Sequence, residues 1–118
     1  MKRVMVIEDN PSIRAVYADL LHLAGCDVAV VETMDEASAL YQKESFDVII
    51  SDVIVHVVGS DREQWSALLA LWRDFRANGS HVIVVSGREE LREEIESAGI
   101  SFYIKPMSGS QLIELVMG

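Results

Sequence analysis

Five short apolar runs recur along the chain: VMVI (residues 4–7), VAVV (28–31), VII (48–50), VIVV (82–85) and FYI (102–104). Each is rich in β-branched or aromatic residues and short enough for a strand. Their apolarity is continuous rather than alternating, which predicts strands covered on both faces, as in a parallel sheet between helical layers. The intervening stretches carry helical spacing. Ile13, Val16, Leu20 and Leu23 form the first stripe, which Gly25 stops. Ala37, Leu40 and Tyr41 share a face of the second. Trp65, Leu68, Leu69, Trp72 and Phe75 make the strongest stripe, which reads as core and ends at Asn78-Gly79. Leu91 and Ile95 sit four apart in a glutamate-rich fourth helix, and a short fifth helix covers SQLIELVM (110–117). Strand and helix alternating five times predict one α/β domain over residues 1–118, with right-handed crossovers.

Composition removes several functional classes. The formal net charge is −9, and the ten Lys and Arg are scattered, so no basic patch for nucleic acid is present. Cys26 is the only cysteine, which rules out an internal disulfide and a cysteine-rich zinc site. The N-terminal apolar run stops after VMVI, too short for a signal peptide, and no stretch has the length of a membrane span. A reducing, cytoplasmic location is the expectation, without membrane insertion.

In open parallel sheets, ligands collect beyond the carboxyl ends of the strands, near a switch in strand order. The first strand here ends in Glu8-Asp9, the third in Asp52, the fourth in Ser86-Gly87 and the fifth in Lys105-Pro106. Each has a plain alternative. Asp9-Asn10-Pro11 fits a helix start, with a polar cap and proline in the first turn. Asp52 could finish a strand, and Lys105 could be solvated. Their coincidence at four strand ends is what those readings leave unexplained. Three acids in one place repel, and burial makes their ionised forms costlier. A divalent cation relieves both, and an all-oxygen donor set points to magnesium. A lysine and a hydroxyl beside it suit a phosphoryl group, and a carboxylate can itself act as the nucleophile.

These residues, in this order, make the chain resemble the receiver domains of two-component response regulators over essentially its whole length. The resemblance implies a flavodoxin-like (βα)5 three-layer sandwich with strand order 2-1-3-4-5, an order that comes with the family. It implies that Asp52 is the phosphoacceptor, taking a phosphoryl group from a histidine kinase or phosphotransfer protein. Glu8, Asp9 and Asp52 are implied to hold magnesium, with the backbone carbonyl of Ile54 as a further ligand. Ser86 and Lys105 are implied to bind phosphoryl oxygens, and Phe102, three residues before the lysine, to act with Ser86 in switching. The family usually has a cis peptide after that lysine, which Lys105-Pro106 can supply. Ile54 and Arg88 occupy the positions where members tune the lifetime of the phosphoryl group. Such a domain is not a conventional enzyme, although it catalyses its own phosphorylation and dephosphorylation. Its downstream partner is an effector protein or domain.

The chain also departs from the family pattern. Val55-His56 replaces a common Met-Pro pair, and the loop at 53–60 is unusually apolar, apt to fold over the site or to meet a partner. His56 reads as an exposed loop residue, and His22 and His81 as surface or helix-packing ones. The fourth helix is short and carries Glu89, Glu90, Glu93, Glu94 and Glu96, read as a solvated face with Arg88 and Arg92 as partners. That weakens the case for a conventional homodimer through this face without removing it. With no effector segment in this sequence, a free-standing regulator, a shuttle and a piece of a longer chain all stay open as expectations. The short last helix leans a little toward a piece. Two other classes compete with this reading: an interaction module acting without phosphorylation, and a haloacid dehalogenase-type phosphatase. The phosphatase would want an aspartate where Ile54 stands.

Overall fold

The computed structural model describes residues 1–53 and 62–118. Strands β1 (Arg3–Ile7), β2 (Asp27–Val31), β3 (Val48–Asp52), β4 (His81–Ser86) and β5 (Ser101–Ile104) alternate with helices. The helices are α1 (Pro11–Leu23), α2 (Met34–Lys43), α3 (Arg62–Ala77), α4 (Arg92–Ser97) and α5 (Gly109–Met117), with a 3-10 turn at Glu89–Leu91 before α4. All strand pairs are parallel, in the order β2-β1-β3-β4-β5. The flavodoxin-like expectation holds. No described helix is long and apolar enough to cross a membrane.

Local chemistry sets the boundaries. The Asn10 side chain accepts from the backbone N–H groups of Ser12 and Ile13, at 2.9 and 3.2 Å, and Pro11 opens α1. Thr33 and Ser108 cap α2 and α5 in the same way. Gly25 and Gly79 follow α1 and α3 with φ of 91° and 101°, a backbone region that side chains disfavour.

The sheet divides the core in two. Met5, Ile7, Ile49, Val82, Val84 and Phe102 pack against α2, α3 and α4. Val4, Val6, Val48, Ile50, Ile83 and Val85 pack against α1 and α5. The central strands are covered on both faces, as their continuous apolarity predicts. The edge strands are not: Val30 is 45% exposed and Ile104 40%. The α1 stripe is also rotated from expectation. Tyr17 and Leu21 are the buried pair, whereas Val16 is 54% exposed and Leu23 86%. Trp72 and Phe75 are fully buried and Trp65 half-buried, while His22 and His81 are exposed.

Candidate functional site

Strand alternation and register decide which side chains meet at the carboxyl rim. Ile7 pairs with Ser51, which sets Glu8 beside Asp52. Asp52 pairs with Val85 and Ser86 with Ile104, which brings the last residues of β3, β4 and β5 into adjacent positions. Glu8 and Asp52 continue the rows facing α1 and α5. Ser86 and Phe102 continue the rows facing α3 and α4.

Glu8, Asp9 and Asp52 each present a carboxylate oxygen, and these lie within 4.8 Å of one another. Lys105 reaches them from the far end of the chain. Its Nζ lies 3.0 Å from Asp52 Oδ1 and 3.8 Å from Glu8 Oε2. The Val53 backbone N–H also donates to Asp52 Oδ1, at 2.9 Å. Both contacts fall on the one oxygen, Oδ1. The Lys105–Pro106 peptide is cis.

Glu8 is the electrostatic key. Its side chain is only 3% exposed, and its pKa is pushed up to about 7, chiefly by burial. The Asn10 N–H donates to Glu8 Oε1 at 3.2 Å and pulls the value down, as does the Lys105 charge, while Asp52 and Asp9 push it up. For Lys105, burial lowers the pKa, but the hydrogen bond and charge of Asp52 and the charge of Glu8 leave it raised overall. With an acid so buried beside two others, the cluster carries more negative charge than the Lys105 ammonium offsets. A small divalent cation supplies the missing positive charge to an all-oxygen donor set, so these residues fit magnesium.

Ser86 is buried, and its Oγ accepts the Arg88 backbone N–H at 3.1 Å. The Arg88 guanidinium turns away to Glu90, at 2.9 Å. Phe102 is buried beneath the Arg92 guanidinium, which lies 4.7 Å from the ring centroid and also pairs with Glu89 and Glu96. Tyr103 joins the opposite core. The positions of Ile54 and His56, and the loop after Val53, lie outside the described residues.

Three contributors were not singled out from sequence. Arg14 donates to the Glu8 main-chain carbonyl at 2.9 Å and pairs with Glu32 at 3.1 Å, tying α1 to the rim. The Tyr17 phenol is raised by burial, lowered by the charge of Lys105 and raised by those of Glu8 and Asp52, which marks it as a neighbour of the site. Ser51 accepts from Trp72 and donates to the Asp52 carbonyl. A lone hydroxyl inside the apolar run VIISD was the available signal, since a buried hydroxyl demands a partner.

Comparison with known proteins bears on the family and the fold. The family model described as response regulator receiver domain matches residues 4–117. The sensor protein GacS of Pseudomonas syringae pv. syringae is 29% identical over 119 residues, covering 98% of this chain but 13% of GacS. The chain thus spans only a small part of that relative. The chemotaxis response regulator CheY4 of Vibrio cholerae superposes with a TM-score of 0.80 at 25% identity, covering 99% of this chain and 97% of that one. A response regulator protein from Burkholderia pseudomallei, solved with a phosphorylated aspartic acid, calcium ion and citrate, gives a TM-score of 0.78 at 23% identity. It covers 98% of this chain and 66% of its own. With the family match running from the first strand into the last helix, and the sheet order and rim residues to go with it, the chain belongs to the response regulator receiver domains, signalling domains of two-component systems.

Proposed function

We propose that this chain is a phosphoryl-accepting switch in which Asp52 is the acceptor. The observation that carries the reading is the convergence of Lys105 on Asp52 and Glu8 beside a third carboxylate, Asp9. A structural ion pair needs one acid; a site that handles a phosphoryl group needs an acceptor, a cation for its oxygens and a means of offsetting the acids. Glu8, Asp9 and Asp52 would hold magnesium, with the Ile54 carbonyl as a further ligand. When bound, the ion neutralises the carboxylates and the phosphoryl oxygens.

The donor is a phosphohistidine on a histidine kinase or phosphotransfer protein. An Asp52 oxygen bonds to phosphorus as the phosphorus–nitrogen bond breaks, and the electron pair leaves with the imidazole, which takes up a proton. Oδ2 is the oxygen left open by the Lys105 and Val53 contacts. Lys105 then exchanges its bond with Asp52 for one with a phosphoryl oxygen, and the Ser86 hydroxyl donates to another. This charge change, made at one end of a packed sheet, biases the packing of Phe102 and α4, where a downstream effector reads it. The aspartyl phosphate in the Burkholderia structure supports the same chemistry on this fold.

The test is incubation with acetyl phosphate and magnesium followed by intact mass. The parent chain gains one phosphoryl group, and the Asp52→Asn chain gains none. An unmodified parent chain, or an adduct that survives Asp52→Asn, overturns the reading.

A further inference from the structure

The tryptophans of α3 are not used by the chemistry at the rim, yet they connect to it. Trp72 is fully buried, and its indole N–H donates to Ser51 Oγ at 3.1 Å. The same hydroxyl donates to the main-chain carbonyl of Asp52 at 2.8 Å. An indole nitrogen is a donor only, so the direction of this relay is fixed: Trp72 to Ser51 to Asp52. Trp65, two turns earlier on α3, meets the Trp72 ring edge to face, with centroids 6.0 Å apart and planes at 85°. Its own indole N–H donates to the Glu94 carboxylate on α4. An unbroken line of contacts therefore runs from the acceptor's main chain, through α3, to α4. It touches neither Ser86 nor Phe102.

We propose that this line is a second mechanical route between Asp52 and α4, with Ser51 and Trp72 as positioning residues for Asp52 and Glu94 as the terminus on α4. Its signalling meaning rests on reading Asp52 as the acceptor. With six residues, α4 is too short to hold itself as an isolated helix. Its place depends on what grips it: Ile95 in the core, Arg92 over Phe102, and Glu94 on Trp65. A shift of the Asp52–Val53 peptide changes the alignment of the Ser51 hydroxyl, and hydrogen bonds weaken steeply with misalignment. The fully buried indole above it sits in close-packed surroundings that pass displacement on. The line ends on an exposed carboxylate, so α4 feels the shift without Phe102 moving.

Two measurements test this. Hydrogen exchange asks whether the ends are coupled at all. Glu94→Ala and Trp65→Phe each speed exchange of the Asp52 and Val53 amides roughly 3- to 10-fold, while Glu94→Gln, which keeps an acceptor, restores the parent rate. Unchanged rates in both variants overturn the link, whatever Asp52 does chemically. The second measurement is a double-mutant cycle on the affinity for beryllofluoride with magnesium. Glu94→Ala shifts that affinity by a similar factor in the parent chain but by less than about 1.5-fold in the Ser51→Ala background. Additive effects overturn the route. A parent chain that takes up no beryllofluoride overturns the acceptor reading and the proposed route's signalling role, and the exchange result still decides the physical link.

Discussion

The Lys105 ammonium lies 3.0 Å from Asp52 Oδ1 and 3.8 Å from Glu8 Oε2, so one cation at the end of β5 faces acids from β3 and β1. The three strands are adjacent or nearly so in the sheet but far apart in the chain. The ammonium offsets repulsion between the acids and at the same time competes with any metal for them.

That double role gives opposite effects for one substitution. On the proposed reading, Lys105→Ala removes the cation that would meet the phosphoryl oxygens, and the rate of phosphorylation by acetyl phosphate falls by roughly 100-fold, the usual cost of losing one preorganised charge partner. Magnesium affinity in the same variant rises, because the competing charge has gone. A titration in which both quantities fall together would assign Lys105 a purely structural role.

Glu8 makes the site sensitive to pH. Its pKa is about 7 in the folded chain, against 4.5 for an ordinary glutamate. Between these values the folded protein holds a proton that the unfolded chain has lost. This group's stabilising contribution is therefore complete below about 4.5 and is lost as pH rises through about 7. Magnesium needs the carboxylate, so its affinity rises over the same window. Urea unfolding in chelator and magnesium titrations, each at about pH 5 and about pH 8, check both signs. Glu8→Gln flattens both profiles.

Asn10 serves both the start of α1 and the carboxylates of the rim. Its side chain caps the helix, whereas its backbone N–H serves Glu8. Asn10→Ala costs about 1 kcal/mol of stability and leaves magnesium affinity unchanged, because the backbone donor remains. Thermal unfolding and a magnesium titration on the same variant read the two roles apart.

Phe102 is buried under Arg92 and packs with the core on the α3 and α4 side. Phe102→Ala leaves a cavity and costs about 3–5 kcal/mol by urea unfolding. Arg92→Ala costs less, since its guanidinium is shared with solvent and with Glu89 and Glu96. If the two losses are equal, the ring is held by the cation rather than by the core.

The alternation of apolar runs and helical stripes marks the five strands and five α-helices among the described residues, because burial of one face imposes period on sequence whatever the final arrangement. Gly25 and Asn78-Gly79 marked helix ends for an equally local reason, the positive φ that follows a finished turn. The rim residues were legible because side chains ending parallel strands share one edge. Other features were not. The face of α1 was misjudged because Val16 and Leu23 have the right spacing, while Tyr17 is amphipathic and declares no side. The exposure of Val30 and Ile104 depends on β2 and β5 lying at the edges, and apolarity does not state strand order.

The sequence by itself determined the elements and the inventory of acids, hydroxyl and ammonium at the rim. Only the tertiary structure decided that Lys105 pairs with Asp52, that Arg92 covers Phe102 and that Trp72 reaches Asp52 through Ser51. Local periodicity follows from each residue's nearest neighbours. These pairings join elements distant in the chain, and they are set by strand order, register and side-chain reach, which exist only once the sheet has closed against its helices.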